Sequence, residues 1–193
     1  MDRRLSQQLL RIEEKIEEVK RLGAPLAGAR PDPCRWGRAV TGAEILALTL
    51  RAEAGGRPVR AIEAVAALAV NRARLAAMDA ATGLRFAPGA RPGLGLAALL
   101  GLVCRVPFLF GCWMPRNPRR RALLLAMQAS TEGTDTMLEA CRRIAARAAA
   151  GALPDPTGGA THWHAADELP GWALGLVPTA EIGGLVFYRL PVG

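Results

Sequence analysis

The hydrophobic rhythm of this chain changes at Pro156. Between residues 41 and 151, apolar side chains return every three or four positions in segments cut by glycine and proline, the pattern of packed helices. Beyond Pro156, Thr157-Gly158-Gly159-Ala160 reads as a turn and Thr161-His162-Trp163-His164 as extended. Gly183-Gly184 then precedes Leu185-Val186-Phe187-Tyr188-Arg189, a β-branched and aromatic run with strand character. The two extended stretches are expected to pair as a small antiparallel ribbon. The fold class is therefore mainly α, an α+β domain with its β appendage near the C-terminus.

Helix starts and stops divide the first part. Thr41-Gly42-Ala43-Glu44 has the form of a capping box and opens a helix to about Glu53, ended by Gly55-Gly56. Pro58 suits the first turn of a second helix reaching about Leu75. Residues 79–93 read as loop, Leu94 to Cys104 as a short apolar helix, and about 119–129 as another helix. Thr136-Met137-Leu138-Glu139 is a second capping box, with Gly151 closing its helix.

Ahead of this domain, residues 4–22 space Leu5, Leu9, Ile12, Ile16 and Val19 as an a/d stripe flanked by Glu and Lys. The expected organisation is an amphipathic helix over 1–22, a Pro/Gly linker over 23–40, and one compact domain over 41–193, the part that carries the candidate chemistry below. The stripe serves equally for folding back on the domain or for coiled-coil self-association or docking.

The first residues, MDRRLSQQLLRIEEK, lack the uninterrupted apolar core of a signal peptide. Arg105 and Pro107 interrupt the apolar stretch from Leu94 to Met114, so no integral membrane span is expected. The chain carries 25 basic and 17 acidic side chains, a net charge of +8, which favours a polyanionic partner: nucleic acid, an anionic membrane or an acidic wall polymer. Charge alone does not choose among them. Without a nucleic-acid recognition motif, no nucleic-acid partner is expected. No Walker loop, dinucleotide fingerprint or Gly-x-Ser-x-Gly elbow occurs, and no cofactor is expected. Cys34, Cys104, Cys112 and Cys141 form no CxxC pair. A Cys104–Cys112 bridge and buried reduced thiols both remain open.

Three features carry chemistry. Glu53 stands at the end of an apolar helix just before a glycine break. Such an end can aim a carboxylate into a cleft and partly desolvate it, which favours a proton-donating acid. His162 and His164 are two apart on an extended segment and so share a face. They could begin a metal site, but no spacing nominates a third ligand, and no metal is expected. The alternative is a polar wall for sugar hydroxyls with Trp163 packed behind it, while Trp113, Trp163 and Trp172 offer rings for sugar faces or for the core. Arg116, Arg119, Arg120 and Arg121 surround Pro118, as an anion grip or as a solvated helix start.

Taken in order, the motifs resemble those of the SleB-like cell-wall hydrolases, a family of spore-cortex-lytic and related enzymes. The matching pieces are Ala52 to Gly55, Leu68-Ala69-Val70-Asn71-Arg72, Val103-Cys104, Phe110-Gly111-Cys112-Trp113, Asp155-Pro-Thr-Gly-Gly-Ala-Thr-His-Trp-His-Ala165, Pro170-Gly-Trp172-Ala173 and Ile182-Gly-Gly-Leu-Val-Phe-Tyr-Arg189. They span residues 41–190.

The resemblance implies a lysozyme-like, lytic-transglycosylase-related fold with one catalytic acid, Glu53, acting between N-acetylmuramic acid and N-acetylglucosamine of peptidoglycan. On the matching positions it puts Asn71, Trp113, Thr161, His162, His164 and Tyr188 along the substrate. It implies action at the cell wall or periplasm, and with no signal-peptide core in the first residues the expectation is synthesis in the cytoplasm followed by release or delivery. Four positions depart from the family pattern: Gly55 and Arg57 stand where Arg and Glu are usual, Gly111 where Ser is usual, and Leu185 where His is often found. Those departures motivate an alternative, a catalytically weak or inactive wall-binding component of a phage-like particle.

Overall fold

The computed structural model describes residues 40–128 and 135–191. The helix expected over 1–22, nearly all of the 23–40 linker, and Cys34 lie outside the described residues. What is described is mainly helical, with a small three-stranded antiparallel sheet near the C-terminal end.

Helix α1 (Gly42–Ala54) starts at Thr41, whose hydroxyl oxygen accepts the Glu44 amide at 3.2 Å. Only this half of the capping box forms. The Glu44 carboxylate instead accepts from Arg142, Nη2 to Oε1 at 2.8 Å, which ties α1 to a later helix. Helix α2 (Val59–Met78) runs three residues beyond the expected end and is buried around most of its middle: Ala61, Ile62, Ala64, Val65, Ala66, Leu68 and Ala69 are all sealed from solvent. A helix apolar on every face belongs in a core, and its alanines let neighbouring elements approach closely.

Residues 79–93, expected as loop, contain helix α3 (Ala80–Phe86). Asp79 caps it by accepting the amides of Ala81 and Thr82, each at 2.9 Å, and buried Phe86 pins its far end. Helix α4 (Leu96–Arg105) crosses α1 so closely that a Cβ on Gly42 would lie 1.7 Å from the Ala97 carbonyl oxygen. It stops at Arg105, and among the described residues no helix is long and apolar enough to cross a membrane.

A single 3₁₀ turn (Gly111–Trp113) leads to α5 (Pro118–Gln128) and then α6 (Thr136–Ala149). The cap of α6 is Asp135 rather than Thr136: its carboxylate accepts the amides of Met137 and Leu138, each at 3.0 Å. A single carboxylate oxygen, Oδ1, takes both amides, while Oδ2 accepts from Arg51 at 2.8 Å.

The sheet has the order β1-β3-β2, from β1 (His162–Ala165), β2 (Ala180–Ile182) and β3 (Leu185–Tyr188). The expected ribbon is β1 with β3, antiparallel, with Trp163 opposite Phe187 and His164 opposite Val186. Strand β2 was not anticipated, since three residues carry no alternation to read. Gly183 and Gly184, both at positive φ (58° and 76°), make the two-residue β2–β3 turn. A Cβ on Gly183 would lie 2.7 Å from that of Ala61, so this turn sits directly on α2. Leu185 and Phe187 face the core, with Trp163 packed against it.

Candidate active site

Glu53 lies in the last turn of α1. The apolar face of that helix, Leu46 and Leu50 among others, is buried, and this fixes the direction of its C-terminal end. The Glu53 carboxylate reaches the 3₁₀ turn, where Oε1 accepts the Cys112 amide at 2.7 Å. Trp113 anchors that turn in the core: its indole Nε1 donates to Thr49 Oγ1 at 3.0 Å, and Thr49 in turn donates to the Ile45 carbonyl of α1 at 2.7 Å. The acid and the turn that orients it are thus both fastened to one helix.

Two clefts meet at Glu53. One, of about 550 Å³, is walled by His162, His164, Trp172, Phe108 and Glu168. The other, of about 750 Å³, is lined by Leu48, Arg51, Ala126, Asp135 and Leu138. Glu53, Arg57 and Arg119 line both.

His162 and His164 do share a face. Both rings lie against Trp172, with centroids at 5.7 and 5.8 Å, and Tyr188 stacks on His164 at 5.4 Å. The His164 Nε2 and Tyr188 hydroxyl are hydrogen-bonded at 3.1 Å. Burial, reinforced by the positive charges of Arg72 and Arg85, draws His162 down to about 4, so its ring is neutral at neutral pH. A neutral imidazole held by Thr161 Oγ1 at Nδ1 (2.9 Å) can exchange hydrogen bonds with sugar hydroxyls.

Arg72 organises this wall from behind. It is buried, donating from Nε to the Thr161 carbonyl at 2.7 Å and from Nη1 to the Leu109 carbonyl at 3.0 Å, with its guanidinium 5.1 Å from the Phe110 ring centre. Burial pulls its guanidinium down to about 9, which leaves it charged at neutral pH.

Of the residues expected along the substrate, His162 and His164 face the cleft and four others do not line it. Asn71 donates to Asp155 Oδ2 at 3.0 Å and to the Ala160 carbonyl at 3.1 Å, pinning the loop before β1. Trp113 is spent on Thr49, Thr161 is buried behind His162, and Tyr188 supports His164 and Trp172 from the second layer. Asp155 accepts from the Thr157 amide and hydroxyl and from the Gly159 amide. Burial would raise its carboxyl, but these bonds and that from Asn71 outweigh it and hold the group below its ordinary range.

Sequence reasoning did not single out Arg57 for the site. Its Nη1 donates to the Gly183 and Gly184 carbonyls at 3.2 and 2.9 Å, across the β2–β3 turn. Arg119, from the arginine run, donates through Nη1 to the Ala52 carbonyl at 2.9 Å. The other departures are also absorbed: a Cβ on Gly55 would lie 2.3 Å from the Arg51 carbonyl oxygen, and Leu185 is wholly buried.

Cys104, Cys112 and Cys141 are buried free thiols, so no Cys104–Cys112 bridge forms. Burial raises all three, and the negative charge of Glu53 adds to the rise at Cys112. Among the described residues, no group of three His, Cys, Asp or Glu side chains is disposed to hold a metal ion.

No protein-family model matches the chain, and no curated protein matches it. Among solved structures it is similar to the crystal structure of the catalytic domain of the Bacillus cereus SleB protein. The two are 18% identical with a TM-score of 0.49, over 84% of this chain and 100% of that one. The functional reading rests instead on the cleft.

Proposed function

We propose that this chain cleaves the glycan strand of peptidoglycan between N-acetylmuramic acid and N-acetylglucosamine, with Glu53 as its only acid/base residue. The observation that carries this reading is the place of the Glu53 carboxylate at the junction of two clefts. An enzyme that cuts inside a polymer needs room for sugars on both sides of the reacting bond.

The chemistry follows from a single carboxyl group. Protonated Glu53 donates to the bridging oxygen as the bond from that oxygen to muramic acid C1 breaks, leaving an oxocarbenium-like centre. The resulting carboxylate takes the proton of the muramic acid 6-hydroxyl as that oxygen closes on C1, giving an anhydro end. The substrate supplies the nucleophile, so no second carboxylate is required. The Cys112 amide keeps the acid oriented through both steps. Trp172, 42% exposed and set edge-on to His164 and Tyr188, offers a face for stacking a sugar. The histidines supply hydrogen bonds beside it.

In this reading the protein works at the cell wall or in the periplasm. Mass spectrometry of fragments released from purified sacculi tests it. Anhydro-muramyl ends support the full scheme. Reducing muramic acid ends keep the glycosidase but replace the 6-hydroxyl by water, and freed stem peptides overturn the reading.

A further inference from the structure

We infer that Arg57 and Arg119 form a carboxylate-binding pair that makes this cleft select anionic glycans over neutral ones. The inference rests on the glycan-cleaving reading above and names the feature of the substrate that the site grips.

The two arginines come from distant parts of the chain, yet both line both clefts, as Glu53 itself does. Each is fastened through Nη1 to backbone carbonyls, Arg57 to Gly183 and Gly184, Arg119 to Ala52. A carbonyl fixes a guanidinium without neutralising it, and Nε and Nη2 keep donors to spare. Among the described residues neither arginine makes an ion pair, with Glu53 or with any other carboxylate.

The other cleft arginines are differently committed. Arg51 is paired with Asp135 at 2.8 Å, and Arg72 is buried with its donors on carbonyls. Two oriented, uncompensated guanidiniums beside an acid have the character of an anion site, and the planar donor fork of arginine fits a carboxylate. The carboxylate would come from the lactyl group of a muramic acid that has lost its peptide, or from the stem peptide of one that has kept it.

The test measures binding to the full chain carrying Glu53→Gln, which keeps the glycan intact. The probes are three oligosaccharides of equal length: alternating glycan stripped of peptide, alternating glycan with stem peptides, and a neutral N-acetylglucosamine oligomer. One or both anionic probes are expected to bind at least about tenfold tighter than the neutral one at low salt, the scale of a single charge-assisted hydrogen bond. Whichever does so identifies the source of the carboxylate. Adding Arg57→Gln and Arg119→Gln should erase the preference, while Arg57→Lys with Arg119→Lys should keep part of it. Arg119→Gln alone, on an exposed helix start, should lower the preference without disturbing the β2–β3 turn that Arg57 holds. Equal affinity for all three probes, or a preference that survives the double glutamine variant, overturns the inference and leaves the glycan-cleaving reading standing. Binding of none of the three overturns both.

Discussion

The amide of Cys112 donates to the carboxylate of Glu53 at 2.7 Å across 59 residues of chain. This bond joins the end of α1 to the turn that closes the cleft over it. A side chain at a helix end would otherwise sweep through several rotamers. Here its direction is set by a backbone donor that cannot move without disturbing Trp113 and Thr49.

Gly111, next in the chain to Cys112, borders the approach to Glu53: a Cβ there would stand 4.0 Å from Oε1, an ordinary contact, so only a longer or branched side chain would reach the carboxylate. Its φ is not positive, so an L side chain fits the backbone. Gly111→Val should therefore crowd the carboxylate and not the fold. The expected result is a loss of turnover on sacculi of about tenfold or more, as for a small displacement of reacting groups. The melting temperature should shift by no more than about 2 °C.

Trp172 is 42% exposed, so its removal should cost binding rather than stability. Trp172→Ala is expected to raise KM about tenfold, the scale of one lost stacking contact with its buried area, with a smaller effect on kcat. Steady-state kinetics on soluble glycan fragments would separate the two. Unfolding of the variant at ordinary temperature would contradict this placement.

His162 links the wall of the site to pH. Its value in the folded chain, about 4, lies below the ordinary 6.5, because burial and then Arg72 and Arg85 oppose its charge. Between those values the unfolded chain binds the extra proton and the folded chain does not. Stability from this group is therefore complete above about pH 6.5 and is lost as pH falls toward 4. Because the ring is only partly buried, solvent limits the effect to about 1–2 kcal/mol. Denaturant titrations of the full chain at pH 7 and pH 4.5 should show that loss, and His162→Gln should remove about that part of the difference.

Much of the fold was legible because α1, α2 and the β1–β3 ribbon announce themselves by period and punctuation. Helix α3 escaped because seven residues are too few for an amphipathic stripe, although Asp79 was a capping signal in plain view. Strand β2 is held by its partner β3 rather than by its own residues. At the site, the helix end before Gly55-Gly56 drew attention to Glu53, and the two-residue spacing placed both histidines on one face.

Motif letters did not separate residues that line a cleft from residues that build it. Asn71, Trp113, Thr161 and Tyr188 lie in the same motifs as His162 and His164 but turn toward the loop and the core. The reverse failure concerns Arg57, whose role depends on carbonyls 126 and 127 positions away along the chain, which no local pattern can express. The run around Pro118 did draw attention to Arg119, but its letters did not separate Arg119 from its neighbours; its bond to a carbonyl 67 positions away does.

The central claim concerns one proton on Glu53. Glu53→Gln keeps the shape of the side chain and an oxygen to accept the Cys112 amide, but it has no acidic proton to give. The measurement is the rate of glycan fragment release from purified sacculi by the full chain and by this variant, alongside their melting temperatures. The account predicts a fall of about 10³-fold, within the range for loss of a general acid, at an unchanged melting temperature. Release at the original rate by the variant would contradict it.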